Sequence, residues 1–419
     1  VGSLKRIRAT AARCIETAKA GNRVVVVVSA MSGETDRLIS MANDLAVPRS
    51  DRSPRLASNS HGWVHPVGRG ADYERELSQL MSTGEKVAAA LVAIAIQDLG
   101  GRAVSIVGHQ LGLHTSGRFT NARIRELCDS RIIRELADGK IVVCAGFQGM
   151  DSAGNITTLG RGGSDTSAVA VAAGLKAEVC EILTDVDGVY TADPRIVPNA
   201  RRLDRISHEE MIELASVGAK ILQIRSVELA MKYGVPLHVR SSLNHNEGTW
   251  IVAEEKNMES VLVRGVALDR NEAKVTLTDC PDVPGTVASV FTELGAQGIV
   301  VDMIIQNGSR AGRTDVTFTV PKPDLDQARA IFASLELAND GTVSVLTDAD
   351  ICKISIVGVG MRTHAGVAAR AFGILADEGI NIQMVSTSEI KVSVVVAERY
   401  GELALRSLHD GFGLERPVK

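Results

Sequence analysis

The carboxy-terminal part of the chain repeats itself, and this restricts the architecture more than any other feature of the sequence. Pro284-Gly285-Thr-Val-Ala-Ser-Val-Phe291 parallels Ala365-Gly366-Val-Ala-Ala-Arg-Ala-Phe372, and Gly298-Ile-Val-Val-Asp-Met-Ile304 parallels Gly379-Ile-Asn-Ile-Gln-Met-Val385. Both pairs of blocks are offset by 81 residues, and two separate blocks sharing one offset do not arise readily by chance. That period is too long for a solenoid and marks a duplicated domain. Each copy reads strand, glycine turn, helix, strand, strand, helix, strand, which is the ferredoxin-like βαββαβ order. We expect the copies over 263–345 and 349–419, joined to an amino-terminal part over 1–250 by the polar link Asn244–Met258.

The amino-terminal part alternates apolar strands with helices. Strands are expected at Val24–Ser29, Ala103–Val107, Ile141–Ala145, Glu181–Thr184 and Val235–Val239. Helices are expected around Leu4–Ala20, Glu85–Gln97, Asn121–Leu136 and Ser164–Ala173, and the capping box Ser207-His-Glu-Glu210 should start another. Such alternation implies an α/β fold, a three-layer αβα arrangement around a mostly parallel sheet. Aromatic residues make up 3% of the chain, so the core must be aliphatic. Pro48 to Gly70 has three prolines and no clean period and reads as an exposed loop.

The formal charge of −4 and the lack of a long Lys/Arg run argue against nucleic acid as a partner. Six cysteines without a CxxC pair read as small hydrophobes in a reducing compartment. No secretory signal or apolar run of membrane-spanning length is seen, and the cytoplasm is the expected location.

Thr157-Thr-Leu-Gly-Arg-Gly-Gly-Ser-Asp165 is the strongest chemical signal. Glycines at 160, 162 and 163 let backbone amides approach a ligand just before a helix N-terminus, where anions bind. Arg161 can fork onto a carboxylate or phosphate, and Asp165 can orient a basic group or help hold a metal near phosphates. A plain glycine turn capping a helix is the competing account, and the Arg and Ser-Asp inside the loop count against it. It is neither a Walker A loop nor a dinucleotide fingerprint.

Three further blocks are weaker taken singly. Leu183-Thr-Asp-Val-Asp-Gly-Val-Tyr-Thr-Ala-Asp-Pro-Arg195 follows a strand, where open α/β sheets bind ligands, and lacks the spacing of a calcium loop. Val28–Asp36 follows a strand too, with hydroxyls at Ser29, Ser32 and Thr35 that suit a small polar substrate or an ordinary helix cap. Glu85, in Ser82-Thr-Gly-Glu-Lys86, opens an apolar helix. It is costly there unless paired, for instance with a substrate ammonium, although a helix dipole also favours a carboxylate at that end. Lys220 can balance phosphate charge, and a lone Lys is more often a solvated surface residue.

Taken together, Val28–Asp36, Ser82–Glu85, Gly146–Gly149, Thr157–Asp165, Thr184–Arg195, Glu213–Lys220 and Val239–Ser242 closely resemble, in order and over nearly the whole chain, the motifs of the aspartate kinases. The repeated half, with Asn381-Ile-Gln-Met and Ser386-Thr-Ser-Glu-Ile390, resembles the tandem ACT domains of the lysine- and threonine-sensitive branch. The resemblance implies ATP-dependent phosphorylation of the aspartate side chain to 4-phospho-L-aspartate, the first step towards lysine, threonine and methionine, with Mg²⁺ arriving on ATP. It assigns Arg161 to the substrate α-carboxylate and Glu85 to its ammonium, with Ser29, Thr35 and Phe147 shaping the pocket. Gly162, Gly163 and Ser164 would line the transfer site, where Asp165 would organise charge. Thr184, Asp185, Val189, Tyr190, Thr191, Asp193, Pro194 and Arg195 would hold the nucleotide, and Lys220 would face its phosphates. Gly285, Val287, Asn381 and Ile382 are candidate effector contacts for lysine or threonine. A homodimer or larger assembly is expected, and an internal start at Met258 would give a separate regulatory subunit.

The attacking carboxylate is already ionised at neutral pH, with an ordinary pKa of about 3.9, so no strong base is needed. Positioning two anions against positive charge should carry the catalysis. Two departures stand out. Family members open with a strand carrying KFGGTS, and the given sequence starts just after that motif. The Pro48–Gln79 stretch is also longer than in other members and is expected to be a surface excursion near the substrate entrance. A catalytically impaired, amino-acid-binding regulatory protein, or another amino-acid kinase such as a glutamate or acetylglutamate kinase, are the alternative expectations.

Overall fold

The computed structural model describes residues 2–45, 56–58, 64–66, 70–218, 221–254, 263–308, 310–334, 343–363 and 366–416. The core of the amino-terminal part is a parallel sheet in which Ile141–Ala145 lies between Val25–Val28 and Ala103–Ile106. All five residues of the central strand are buried, and alternation decides which way each points. Ile141, Val143 and Ala145 pack under helices Leu4–Lys19 and Thr83–Asp98, through Ile7, Ala11, Ala88, Val92 and Ile96. Val142 and Cys144 face the opposite layer, with Ile132, Leu159, Ala170 and Val171. The result is the expected helix–sheet–helix sandwich.

Helix Gly163–Leu175 is apolar nearly all round, as a helix buried on more than one side must be. Ala170 and Val171 join the core just described. Val169 and Ala172 join a second core with Ile182, Met211, Val227, Leu237 and Val239. This second core lies on a sheet ordered Cys180–Thr184, Leu237–Ser241, Thr249–Val252 and Arg205–Ser207. The helix that follows the glycine loop is therefore wedged between two sheets.

Four local expectations are corrected. The helix expected around Asn121–Leu136 is a strand, Ile124–Leu127, followed by helix Ser130–Ala137. Pairing of Leu127 with Leu113 and Glu126 with His114 overrides the local helical spacing. The supposed link Asn244–Met258 contains the core strand Thr249–Val252, paired on both sides. Within the supposed loop Pro48–Gly70, Leu56–Ser58 and Val64–Pro66 form an antiparallel pair, and Ala71–Met81 is a helix. The helical stretch Ala71–Asp98 is long and apolar enough by length and composition to cross a membrane, which the sequence reading did not find. It turns at Ser82, and Ala88, Ala89, Val92 and Ile96 lie deep in the core described above, so it reads as a core element. All six cysteines are free thiols, five of them buried.

The capping box forms as expected: Glu210 N–H donates to Ser207 Oγ at 3.1 Å, and Ser207 N–H to Glu210 Oε2 at 3.1 Å. The same buried carboxylate accepts from Val359 N–H at 3.1 Å and faces Arg264 at 3.4 Å, tying the amino-terminal part to the repeated half.

In that half the two copies keep the 81-residue offset through their first helix and second strand, and a shorter turn in the second copy reduces it beyond that point. Helix Thr286–Ala296 matches Val367–Asp377 end for end, and the glycines before them, Gly285 and Gly366, have φ of 104° and 102°. The first sheet runs Ile304–Gln306, Arg313–Pro321, Glu272–Pro281, Ser344–Asp348, the ferredoxin-like order. The second runs Met384–Thr387, Lys391–Ala397, Ile351–Val357, and takes as its outer strand Gly265–Asp269, from the start of the stretch expected to be the first copy; among the described residues the second copy lacks the final strand that its expected βαββαβ order called for. Equivalent positions meet where the copies touch. Met303 and Met384 share one cluster, and buried Lys353 lies 3.4 Å from Glu272 and also pairs with Asp302. Burial raises the Glu272 carboxyl. Burial alone would lower Lys353, but the carboxylates of Glu272 and Asp302 hold it above its usual value.

Candidate active site

Three loops meet where the parallel strands end. The first follows Val25–Val28, the second is Gly146-Phe147 after Ile141–Ala145, and the third is the glycine loop. Gly146 brings the second loop against the other two: a Cβ on it would lie 3.0 Å from Val28 O and 3.1 Å from Ser164 Cα. Gly162 has φ of 65°, and a Cβ there would fall 1.8 Å from Gln223 Cγ, so only glycine suits both backbone and neighbour. Gly163 begins the wedged helix, packed against the Phe147 ring.

Phe147 has φ of 66°, uncommon for a bulky residue. Its N–H donates to Ser167 Oγ at 3.0 Å, and that hydroxyl donates to Gly163 O at 2.7 Å. The surrounding structure thus fixes an unfavourable conformation, as happens at ligand sites. Buried Gln148 locks the next turn, with Gly108 N–H donating to its Oε1 at 3.1 Å and its Nε2 donating to Ser82 O at 3.3 Å. Arg225 holds the back of the glycine loop by donating to Leu159 O at 2.8 Å and Ala122 O at 2.6 Å.

Glu85 is 3% exposed. Its Oε1 accepts from Ala30 N–H at 3.0 Å, while Oε2 has no hydrogen-bond partner among the described residues. Burial pushes its carboxyl up to about 7, against the smaller effect of the Ala30 bond. Asp165, in the first turn of the wedged helix, is pushed up to about 6 by burial and has no hydrogen-bond or ion-pair partner among the described residues. By surface area the residue stays partly exposed to solvent. Arg161 projects from the loop, exposed and likewise without a partner among the described residues. Ser29 is exposed at the strand end, Thr35 is half-buried in helix Glu34–Asp44, and Ser164 is half-buried beside Gly163. A buried carboxylate bonded to the first loop, and an exposed guanidinium and a helix N-terminus on the third, thus belong to loops that come together at Gly146.

The loop after Cys180–Thr184 divides. Thr184 Oγ1 donates to Asp185 Oδ1 at 3.1 Å, and Tyr190 donates to Asp187 Oδ1 at 2.7 Å, with Asn246 on Oδ2 at 2.8 Å. These bonds from Asn246 and Tyr190 hold the Asp187 carboxyl low, and burial raises the Tyr190 phenol. Arg195 forks onto Asp193 at 2.7 to 3.2 Å and lowers its carboxyl, and Pro194 is exposed between them. Val189 and Thr191 instead face inward, 0% and 1% exposed. Lys220 lies outside the described residues, as does Met258.

Gly285 and Asn381 are exposed, while Val287 packs on the first copy's core and Ile382 on the second's. No hydrogen bond or ion pair among the described residues joins the two pairs. Ser167, Gln148, Gln223 and Arg225 were not found from sequence. Gln148, within the Gly146–Gly149 block, and Ser167, inside the apolar helix that follows the glycine loop, carried a signal there.

A model of the amino acid kinase family matches residues 1–241, and ACT domain models match 274–337 and 354–412. The chain is 49% identical to an aspartokinase of Pseudomonas aeruginosa over 421 aligned residues, covering 100% of this chain and 96% of that one. Its fold is similar to that of E. coli aspartokinase III solved with aspartate and ADP, with a TM-score of 0.75 at 25% identity over 98% of this chain and 97% of the other. The same relative solved with lysine and aspartate gives a TM-score of 0.73 at 25% identity, over 97% and 96%.

Proposed function

The chain belongs to the aspartate kinases of the amino acid kinase family, and from this we propose that it transfers the γ-phosphoryl group of MgATP to the side-chain carboxylate of L-aspartate. The observation that carries the substrate reading is buried Glu85, bonded to the loop after the first strand and with one oxygen unengaged among the described residues, while the glycine loop carries the exposed Arg161. An α-amino acid offers an ammonium to the first and a carboxylate to the second. Its remaining carboxylate then lies towards the N-terminus of helix Gly163–Leu175, the place for the phosphoryl group.

Chemistry at this site needs little proton movement, because the nucleophile is ionised beforehand. Gly162, Gly163 and Ser164 present backbone amides to the transferring group, while Ser29, Thr35 and Phe147 close the pocket. Asp165 tunes the charge near the γ-phosphate, and Lys220 balances the charge of the phosphates. Thr184, Asp185, Tyr190, Asp193, Pro194 and Arg195 form the nucleotide side, with Val189 and Thr191 supporting it from within. Positioning and positive charge supply the rate, as in other phosphoryl transfers.

The ACT domains support feedback control. The lysine-bound relative supports lysine as one effector, with threonine the second expectation, and Gly285, Val287, Asn381 and Ile382 as contacts. A homodimer or larger assembly is proposed, and a single monomeric species in light scattering with and without both amino acids would remove that part. A regulatory subunit starting at Met258 would appear in the mass spectrum of the native enzyme.

The test is ATP-dependent formation of aspartyl hydroxamate by this chain, beside a version preceded by a KFGGTS strand. Product from aspartate but not from glutamate or acetylglutamate is expected. No product from either version, with lysine or threonine still bound, would favour a purely regulatory role.

A further inference from the structure

The segment that carries the nucleotide-side residues does not end in the kinase-like part. Thr191 N–H donates to Arg201 O at 2.9 Å, and Thr191 O accepts from Val266 N–H at 2.8 Å. Ala192 and Val197 belong to the core of the second ACT unit, with Ile354, Ile356, Leu405 and Leu408. Arg406 Nε donates to Ile196 O at 2.9 Å, and Asn199 donates to Asp410 at 3.3 Å. Both residues that receive the segment come from helix Gly401–Gly411.

At the centre of this junction is His409, 0% exposed, with Nε2 3.0 Å from Thr191 Oγ1. Nδ1 faces Asp410 Oδ1 at 3.4 Å. With the Nδ1 proton directed at that carboxylate, Nε2 is left as an acceptor, so Thr191 O–H donates to it. The Thr191 oxygen in turn accepts Arg201 N–H at 3.0 Å. The tautomer follows from satisfying every member of the chain. Packing alone is served by leucine, as at Leu405 and Leu408 on the same helix, whereas a buried imidazole is tolerated only when bonded. Here its bond crosses to the other domain.

We infer that His409 is a positioning residue for nucleotide binding: through Thr191 it fixes the loop that presents Asp185, Tyr190 and Arg195. The second ACT unit thereby sets the affinity for ATP. Ile382, a candidate effector contact, packs on the same core as His409's helix, so a change at the effector site has a packed route to the loop. This inference rests on the proposed reading of Leu183–Arg195 as the nucleotide side.

The test compares His409→Leu, His409→Gln and Thr191→Val in the full chain by steady-state kinetics in MgATP and in aspartate. His409→Leu should raise the KM for MgATP about five- to tenfold, the factor for one lost buried hydrogen bond, and change the KM for aspartate less than about twofold. His409→Gln, whose amide reaches the Nε2 position, should recover most of the loss. Thr191→Val should reproduce the leucine effect, and the double variant should be no worse than either single one. Equal rises in both KM values, or a lower melting temperature with both KM values unchanged, would overturn the inference. If His409→Leu fails to fold, Thr191→Val carries the same comparison, since it keeps the side-chain shape. Asp185→Asn separates the two readings. If it leaves the KM for MgATP unchanged, the nucleotide assignment falls. If it raises that KM while the junction variants do not, only the role of His409 falls.

Discussion

Replacing Glu85 with glutamine should make the protein more stable and the enzyme worse. The carboxyl is 3% exposed, keeps one bond to Ala30 N–H, and has its pKa raised from 4.5 to about 7 by burial. A raised acid pKa means that the folded state holds a proton which the unfolded chain gives up. Stability is therefore lost as pH climbs from the unfolded value through the folded one, and the loss is complete above it. At about 1.4 kcal/mol per pKa unit, the ionised side chain costs about 3 kcal/mol at about pH 8 and under about 1 kcal/mol at about pH 5. Glutamine keeps the shape and the acceptor for Ala30 but never ionises. Urea unfolding of both proteins at the two pH values should give Glu85→Gln a gain near the larger figure at high pH and little at low pH. The same variant should raise the KM for aspartate by about tenfold or more, because the charge that costs stability is the one offered to the ammonium. A gain independent of pH, or an unchanged KM for aspartate, would refute the reasoning.

Three further outcomes are expected. Arg161→Ala should raise the KM for aspartate about 10- to 100-fold, the loss of a charge-assisted fork, with an unchanged melting temperature because the side chain is exposed and without a partner among the described residues. Gly162→Ala should abolish most activity and lower the melting temperature; pairing it with Gln223→Ala should recover little of either, because the Cβ at position 223 still lies 2.5 Å from the new methyl and about 1–2 kcal/mol of left-handed backbone strain remains. Lys353→Met should cost about 3–5 kcal/mol in denaturant unfolding by leaving Glu272 buried without its cation, and the loss should shrink as pH falls and Glu272 takes up a proton.

Much of the fold was legible because the signals were local and agreed with one another. The 81-residue repeat, the valine strand and the Ser207–Glu210 box each name their own structure. The failures share a different cause. Ile124–Leu127 has helical spacing, and only pairing with its partner strand, outside its own window, turns it extended. Thr249–Val252 lies in a polar stretch and becomes a core strand because two neighbours leave a place for it. The origin of the second sheet's outer strand is a matter of topology, which no window of sequence contains. At the site, Glu85 was legible as a carboxylate out of place in an apolar helix. Gln223 and Arg225 were not, since each acts on backbone atoms far along the chain. Val189 and Thr191 sit in a motif that looks wholly polar in purpose, yet they face a domain interior that sequence cannot locate.

Glu272 and Lys353 occupy the same place in two copies of one unit, and the folded chain sets them face to face. Their difference in sign works as an address. A first unit meeting another molecule's first unit by this face would bury carboxylate against carboxylate, and two second units would bury ammonium against ammonium. In a cell crowded with newly made chains, each unit is thus steered away from its like and towards its complement, and the nearest complement is always the one on its own chain. The duplication has ceased to be a pair of interchangeable parts.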